Sequence, residues 1–283
     1  MESGGPGIYY RESAPCEALR QHVRAFFTCT ASEGRCADRA MIREDPVRAF
    51  CPAVFADGHV SIVVGIGKQG EAIGPMTAAR PATMGTAGGA VGAYFRAAAA
   101  RAFTGVPTSE LTDRVVPLEE LWGGAGFELE ARIAEADDDG ERIGMLEEAL
   151  AKRLVGAPSP ATSVDVAGLA AAVVRERGDM TVEQLADAAG VSRQRLTRVF
   201  RESVGVAPKL YCRLARFRAA LRNASNGADW ARMAMELGYS DQSHMIAEFR
   251  EFSSVTPGAL EAPAFFHPFL KRPTQARRPA LPA

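Results

Sequence analysis

The hydrophobic pattern changes character along the chain. From Ile8 to about Phe95 the apolar residues come in short β-like runs, Ile8–Tyr10, Phe26–Thr30, Val60–Ile66 and Val91–Phe95, divided by Gly, Pro and Asp. Asp57-Gly58, just ahead of Val60, is a turn signal. From Ala97 onward the period becomes helical. Ala97–Phe103 predicts a short helix and Arg142–Leu154 a longer one, with Ile143, Leu146, Leu150 and Leu154 at three- and four-residue spacing. That stripe is expected to pack on its own domain, a homodimer interface being the second reading. Gly156 to Ser163 is small, polar and proline-bearing, which predicts a linker. The expected layout is an N-terminal domain over 1–155, a linker over 156–163, a helical domain over 164–262 and an irregular tail over 263–283.

The helical domain contains a repeat. Leu185-Ala186, Gly190, Ser192, Leu196, Phe200-Arg201-Glu202, Val206 and Pro208 return as Met233-Ala234, Gly238, Ser240, Met245, Phe249-Arg250-Glu251, Val255 and Pro257. The offset is 48 residues up to the serine and 49 after it, so the second copy holds one extra residue in its turn. Each copy predicts a short helix, a glycine-marked turn and a second amphipathic helix, the helix-turn-helix pattern, and its tandem occurrence makes chance a poor explanation. Thr181 and Gln184 form a capping box for the first helix, Ser192 is placed to cap the second, and Asp229 caps the helix from Trp230 to Leu237.

In the first copy Leu196, Val199 and Phe200 share one helix face, which leaves Gln194, Thr197, Arg198 and Arg201 on the other. Arg pairs with guanine O6 and N7 and Gln with adenine N6 and N7, so this face suits base edges and phosphates. In the second copy Met245 and Phe249 turn inward and Gln242, Ser243, Ile246, Ala247 and Arg250 turn outward, a less polar face. Together with Ser192 and Ser240 these are the candidate DNA-binding residues, the first copy being expected to carry more of the specificity. Between the copies Pro208 opens a helix with a buried stripe of Leu210, Leu214, Phe217 and Leu221. At about 14 residues it spans roughly 21 Å, which suits two reading helices set about one DNA turn, ~34 Å, apart.

Charge sharpens this picture. The net charge of −1 divides into 16 basic against 22 acidic residues over 1–163, and 17 against 12 over 164–283. Nine basic residues fall within Arg193–Arg222, with Glu202 as the acidic exception, an excess that a phosphate backbone would select.

At these residues the chain resembles a known family. VSRQRLTRVFRESVGVAPKLYCRLARFRAAL from Val191 and LGYSDQSHMIAEFREF from Leu237 are similar to the DNA-binding domain of AraC-type (AraC/XylS) transcription regulators, over about residues 165–260. The resemblance implies a two-lobed helical fold that inserts both recognition helices into adjacent major-groove segments. It places base contacts at Gln194, Thr197 and Arg198, and at Gln242, Ser243, Ile246 and Ala247. Two departures are Ala247, where members often carry a basic residue, and Ser254, which replaces a usual glycine. ADGHVSIVVGI from Ala56 and GVPTSELTDRVVPLEELWG from Gly105 resemble the cupin-like sensor portion of one subgroup. There the usual Phe-x-Pro-Gly-Gly is Phe95-Arg96-Ala97-Ala98-Ala99. The expected fold class is therefore α+β: a small β-barrel-like, cupin-like N-terminal domain with helices, then an all-α domain of two helix-turn-helix units joined by a linker helix. The resemblance implies a one-component regulator whose partners are double-stranded promoter DNA, RNA polymerase and a small-molecule effector of unknown class.

Other chemistries have less support in the residues. Cys16, Cys29, Cys36 and Cys51 raise a thiol- or metal-responsive sensor, or a DNA-alkylation-repair regulator, as the alternative. They contain no Cys-x-x-Cys pair and match no common zinc spacing, so buried inert thiols are the expected state. His22 and His59 precede the linker, too few for a cupin-type metal site, and His59 is expected to be satisfied or solvent-facing rather than a ligand. No catalytic constellation or phosphate loop stands out, so no enzyme and no cofactor is expected. The start lacks a basic segment followed by an apolar one, and Val60–Ile66 is far too short to span a bilayer, which points to the cytoplasm. Phe26, Phe27, Tyr94, Phe95 and Trp122 either fill a core, the default, or line a pocket.

Overall fold

A computed structural model describes residues 8–31, 53–81, 89–157, 162–223 and 229–257. In the N-terminal half the β-like runs become strands: β1 (Ile8–Ser13), β2 (Val23–Ala31), β3 (Ala53–Val54), β4 (Ser61–Gly65), β5 (Gly70–Ile73), β6 (Arg80–Pro81), β7 (Ala90–Phe95) and β8 (Val115–Pro117). They form an antiparallel six-stranded sheet in the order β1-β2-β7-β4-β5-β8 and a two-stranded sheet of β3 and β6. Ile62, Val64 and Val116 turn toward one face, where they meet Phe26, Phe95 and Phe103. Val63 turns to the other, where it meets Phe27 and Cys29. A strand buried on both sides reads as a continuous apolar run, which is why β4 stands out in the sequence. β5 and β8, four and three residues long, are too short to show a pattern of their own and are recruited by pairing.

Helices cover the main face of the sheet: α1 (Arg101–Thr104), α2 (Leu118–Trp122), α3 (Gly124–Glu135) and α4 (Asp139–Val155). Asp138 caps α4 by accepting the Glu141 amide at 2.9 Å. Leu146 and Leu150 are fully buried against the sheet while Ile143 and Leu154 flank them, so the predicted stripe serves its own half of the molecule. The helix expected from Ala97 begins only at Arg101. Ala98 holds a left-handed φ of +66° and keeps the segment before α1 in turns. An alanine here occupies a conformation that glycine adopts freely.

Phe26, Phe95 and Trp122 belong to this core, and the Trp122 indole donates to the Phe103 carbonyl at 2.9 Å. Trp122 also edges a cavity of about 500 Å³ with Leu129, Arg132, Lys152 and Arg153. Its cations are engaged: Arg132 and Lys152 reach Glu148 at 2.9 and 2.7 Å, and Arg153 lies over the Trp122 ring. Their hydrogen bonds hold the Glu148 carboxyl down at about 2.

The C-terminal half is helical: α5 (Val166–Arg175), α6 (Val182–Ala188), α7 (Arg193–Val204), α8 (Pro208–Asn223), α9 (Trp230–Glu236) and α10 (Gln242–Ser253). The central α8 is buried on nearly every side. Besides the expected Leu214, Phe217 and Leu221 it buries Tyr211, Cys212, Ala215, Arg218, Ala219 and Ala220, whereas Leu210 is only half-buried. Phe217 meets the rings of Phe249 and Phe252 at 5.0 and 5.5 Å, and Tyr211 meets Phe200 at 5.5 Å, so α8 joins both lobes through aromatic contacts.

The two halves meet along a seam. Phe55 and Ala56 leave the N-terminal half and enter the helical core, Phe55 edge-on to Phe217. The Ala56 amide donates to the Phe252 carbonyl at 2.9 Å. Thr108 and Thr112 hydroxyls donate to the carbonyls of Ser203 and Gly205 at 2.9 and 2.7 Å. Ser203 and Phe252 are 49 residues apart, the offset of the repeat, so the N-terminal half grips the same carbonyl at the end of both α7 and α10. These orphan carbonyls of a helix C-terminus need partners wherever water is excluded.

Candidate nucleic-acid interface

Each unit is set by its caps. In the first, Thr181 and Gln184 form the expected capping box on α6. Gly190 turns the chain at φ +63°, and the Ser192 hydroxyl accepts the Arg195 amide at 3.3 Å to start α7. Leu196, Val199, Phe200 and Val204 are buried, which rotates Gln194, Arg198 and Arg201 into solvent. Thr197 is half-buried and donates its hydroxyl proton to the Arg193 carbonyl at 2.8 Å, leaving its oxygen to act as an acceptor. Arg193 turns aside to Glu183 at 2.6 Å.

In the second unit Asp229 caps α9, Gly238 turns the chain at φ +73°, and Tyr239 is buried between the helices. Here the structure corrects the expected equivalence of the two serines. Asp241, not Ser240, caps α10 by accepting the His244 amide at 2.8 Å. The extra residue lies ahead of the cap, so Ser192 corresponds to Asp241 and the offset of 49 already applies there. Ser240 instead places its hydroxyl 3.1 Å from His244 Nδ1. Met245 and Phe249 are fully buried; Gln242, Ser243, Ala247 and Arg250 are exposed and Ile246 is half-buried. The backbone amides at the cap hold the exposed Asp241 carboxyl below its ordinary value. That fixes a negative charge beside the second face.

The basic run is not one continuous surface. Arg195, Arg198, Arg201 and Lys209 are exposed. Arg213 is held by Glu248 and Glu251 at 2.6 and 2.5 Å over the Phe252 ring, Arg216 reaches the Gly178 carbonyl, and Arg218 is buried in the seam. The cations of α7 face outward while those of mid-α8 bind the protein together. Nothing in residue spacing distinguishes the two sets, because the partners Glu248 and Glu251 lie 35 or more residues downstream.

His59, expected to be satisfied or solvent-facing, precedes β4 rather than lying on it and is half-buried, with Nδ1 2.7 Å from Arg218 Nη1 and 2.9 Å from the Asp57 carbonyl. Thiols divide as well. Burial pushes Cys29 and Cys212 up to about 11, which suits inert groups. Cys16, by contrast, is exposed, against the expectation of burial. Cys36 and Cys51 lie outside the described residues, as do residues 158–161 of the linker and the whole tail. Among the described residues no group of three His, Cys, Asp or Glu is placed to hold a metal ion, and no helix is long and apolar enough to cross a membrane.

A helix-turn-helix domain model matches residues 185–262, and a domain of unknown function, DUF6597, matches residues 11–117. With the tandem units in place, residues 185–262 are a helix-turn-helix domain of the AraC type, which supports a DNA-binding transcription regulator. No curated protein matches the chain in sequence. Among solved structures it is similar to ToxT of Vibrio cholerae. An apo ToxT variant is 10% identical at TM-score 0.38, covering 92% of this chain and 98% of that one. Another ToxT crystal structure is 12% identical at TM-score 0.38, covering 75% of this chain and 88% of that one. At these scores the overlay is loose, and the assignment rests on the domain match and the geometry.

Proposed function

We propose that the chain is a one-component, cytoplasmic regulator that reads two successive major-groove segments of promoter DNA with α7 and α10. The proposed division is a sensor or dimerisation domain over 1–155, a linker over 156–163 and the DNA-binding domain over 164–262. In this reading Gln194, Thr197 and Arg198 contact bases, Arg201 and Ser192 the backbone, and Gln242, Ser243, Ile246, Ala247, Ser240 and Arg250 form the second contact set. The observation that carries it is the outward arc of Gln194, Arg198 and Arg201 over a fully buried stripe, repeated on α10 with weaker chemistry. An effector acts through the N-terminal half, and RNA polymerase and a second copy of the chain are the proposed protein partners.

Arg198 gives the test. Arg198→Ala should cost about 1–3 kcal/mol on the cognate site and much less on random duplex, read by fluorescence anisotropy at fixed salt. Equal losses on both would reduce Arg198 to a phosphate contact, and binding insensitive to added salt would remove the DNA reading itself.

A further inference from the structure

The cavity beside Trp122 is walled by one face of α3 and one face of α4. The first contributes Ala125, Glu128 and Leu129 and the second Ala149, Arg153 and Gly156, each set at three- and four-residue spacing. Leu129 and Trp122, 3% and 7% exposed, give it an apolar floor. The alanines and the glycine are too small to fill the space between the helices, and about 500 Å³ stays open, a volume that suits a small molecule.

The charged groups around this space divide by whether they already have a partner. Arg132 and Lys152 are both held by Glu148, at 2.9 and 2.7 Å. Arg153 and Glu128 have no ion pair among the described residues. Arg153 is half-buried: its Nη2 donates to the Leu121 carbonyl at 3.3 Å, and its guanidinium lies 4.4 Å from the Trp122 ring centre. Burial with no carboxylate to offset it lowers that guanidinium below its ordinary value. Glu128 stands exposed on the α3 wall.

The cavity therefore offers one unpaired cation, one unpaired carboxylate and an apolar floor. A pure anion would be opposed by Glu128 and a pure cation by Arg153, so a molecule carrying both charges fits where either charge alone does not. The guanidinium fork donates to a carboxylate through two parallel hydrogen bonds, which favours the acid end at Arg153. We propose that this cavity binds an apolar α-amino acid, its carboxylate held by Arg153, its ammonium by Glu128 and its side chain laid on Leu129 and the alanines. Gly156 follows the last residue of α4 and opens the segment leading to the helical half, so the ligand touches the chain where it leaves the N-terminal half. As a binding site this stands by itself; as the effector site it rests on the regulatory reading above.

The test titrates the full chain calorimetrically with L-phenylalanine, hydrocinnamate and phenethylamine, which share an apolar body and differ in charge. Saturable binding of L-phenylalanine is expected, with each singly charged analogue weaker by about tenfold or more. Arg153→Gln should weaken L-phenylalanine and hydrocinnamate but not phenethylamine, and Glu128→Gln should weaken L-phenylalanine and phenethylamine but not hydrocinnamate. Arg153 also covers Trp122, so its loss can loosen the fold. Ala149→Leu is the second variant: it fills the cavity, removes no charge and should abolish binding in a chain that stays folded by its melting curve. The site is overturned if L-phenylalanine does not bind, if either analogue binds as tightly, or if Ala149→Leu binds like wild type. Loss of self-association in Ala149→Leu, read by sedimentation with no ligand bound by either chain, would make the cavity a contact between copies and overturn it as well. L-phenylalanine that binds through Arg153 and Glu128 yet leaves cognate DNA affinity unchanged upholds the site and overturns only its link to regulation.

Discussion

In the first helix-turn-helix unit the reading helix starts on Ser192 and ends on Gly205; in the second it starts on Asp241 and ends on Ser254, although both ends take the same left-handed turn. Gly205 has a reason beyond its φ of +91°. A Cβ there would lie 2.4 Å from Pro75 and 3.0 Å from the Thr112 hydroxyl, so the N-terminal half closes directly over it. Ser254 is exposed and bears only the backbone strain. The reading faces diverge in the same way, with several outward arginines on α7 and a near-neutral surface on α10 beside the Asp241 carboxylate. The first unit thus combines the stronger DNA chemistry with the more intimate contact to the N-terminal half.

The comparison can be broken at its foundations first. Phe200 and Phe249 are the fully buried anchors of the two reading helices, the latter wedged between Phe217 and Trp230. Truncating either to alanine should cost about 3–5 kcal/mol in chemical unfolding of the full chain. A loss below about 1 kcal/mol in one of them would mean that its unit is not built on the shared plan.

Next in size is the seam. Asp57 is raised by burial to about 6, despite the His59 amide it accepts and the facing cations Arg218 and Arg24. A raised carboxyl favours the fold while protonated. Its contribution, about 3 kcal/mol, is present below the unfolded value near 4 and lost as pH rises through 6. Melting curves between pH 4 and 7 should therefore fall more steeply for the wild type than for Asp57→Asn, and equal slopes would remove the buried ionisation from the account.

Smaller effects separate the two faces. Ala247→Arg adds a second outward cation to α10 beside Arg250. It should steepen the log-log salt dependence of DNA binding by about 0.9, one phosphate contact, with an unchanged slope placing position 247 away from the backbone. Last, Ser254→Gly should raise stability by about 1 kcal/mol by relieving the left-handed residue. Gly205→Ser should lower it by more, because a clash is added to the strain. Thermal unfolding of the pair checks the sign of both.

Much of this is readable in the residues because it is local. The caps at Thr181, Ser192 and Asp229, the turns at Gly190 and Gly238 and the apolar stripes of α4, α7 and α10 depend on neighbours within one or two helical turns. Where local signals are thin, the residues say less. β5 and β8 exist through pairing, and α3 opens on Gly-Ala-Gly with only Leu129 and Ile133 as its large buried side chains. The cap of α10 lies one residue beyond the expected serine, since Ser240 and Asp241 are equally good capping types and only the folded turn chooses between them.

By itself the sequence determined the existence of two reading helices, which of their faces turn outward and the relative polarity of those faces, because helical periodicity and capping act over a few residues. Tertiary structure alone decided which arginines remain exposed and which are consumed by Glu248, Glu251 and the seam. It alone brought Thr108, Thr112 and Ala56 to the ends of α7 and α10, and set Arg218 against the Asp57 carbonyl and His59 in the seam. Those partners are separated by tens to hundreds of residues along the chain, and charge at such range acts only once the fold has closed the distance.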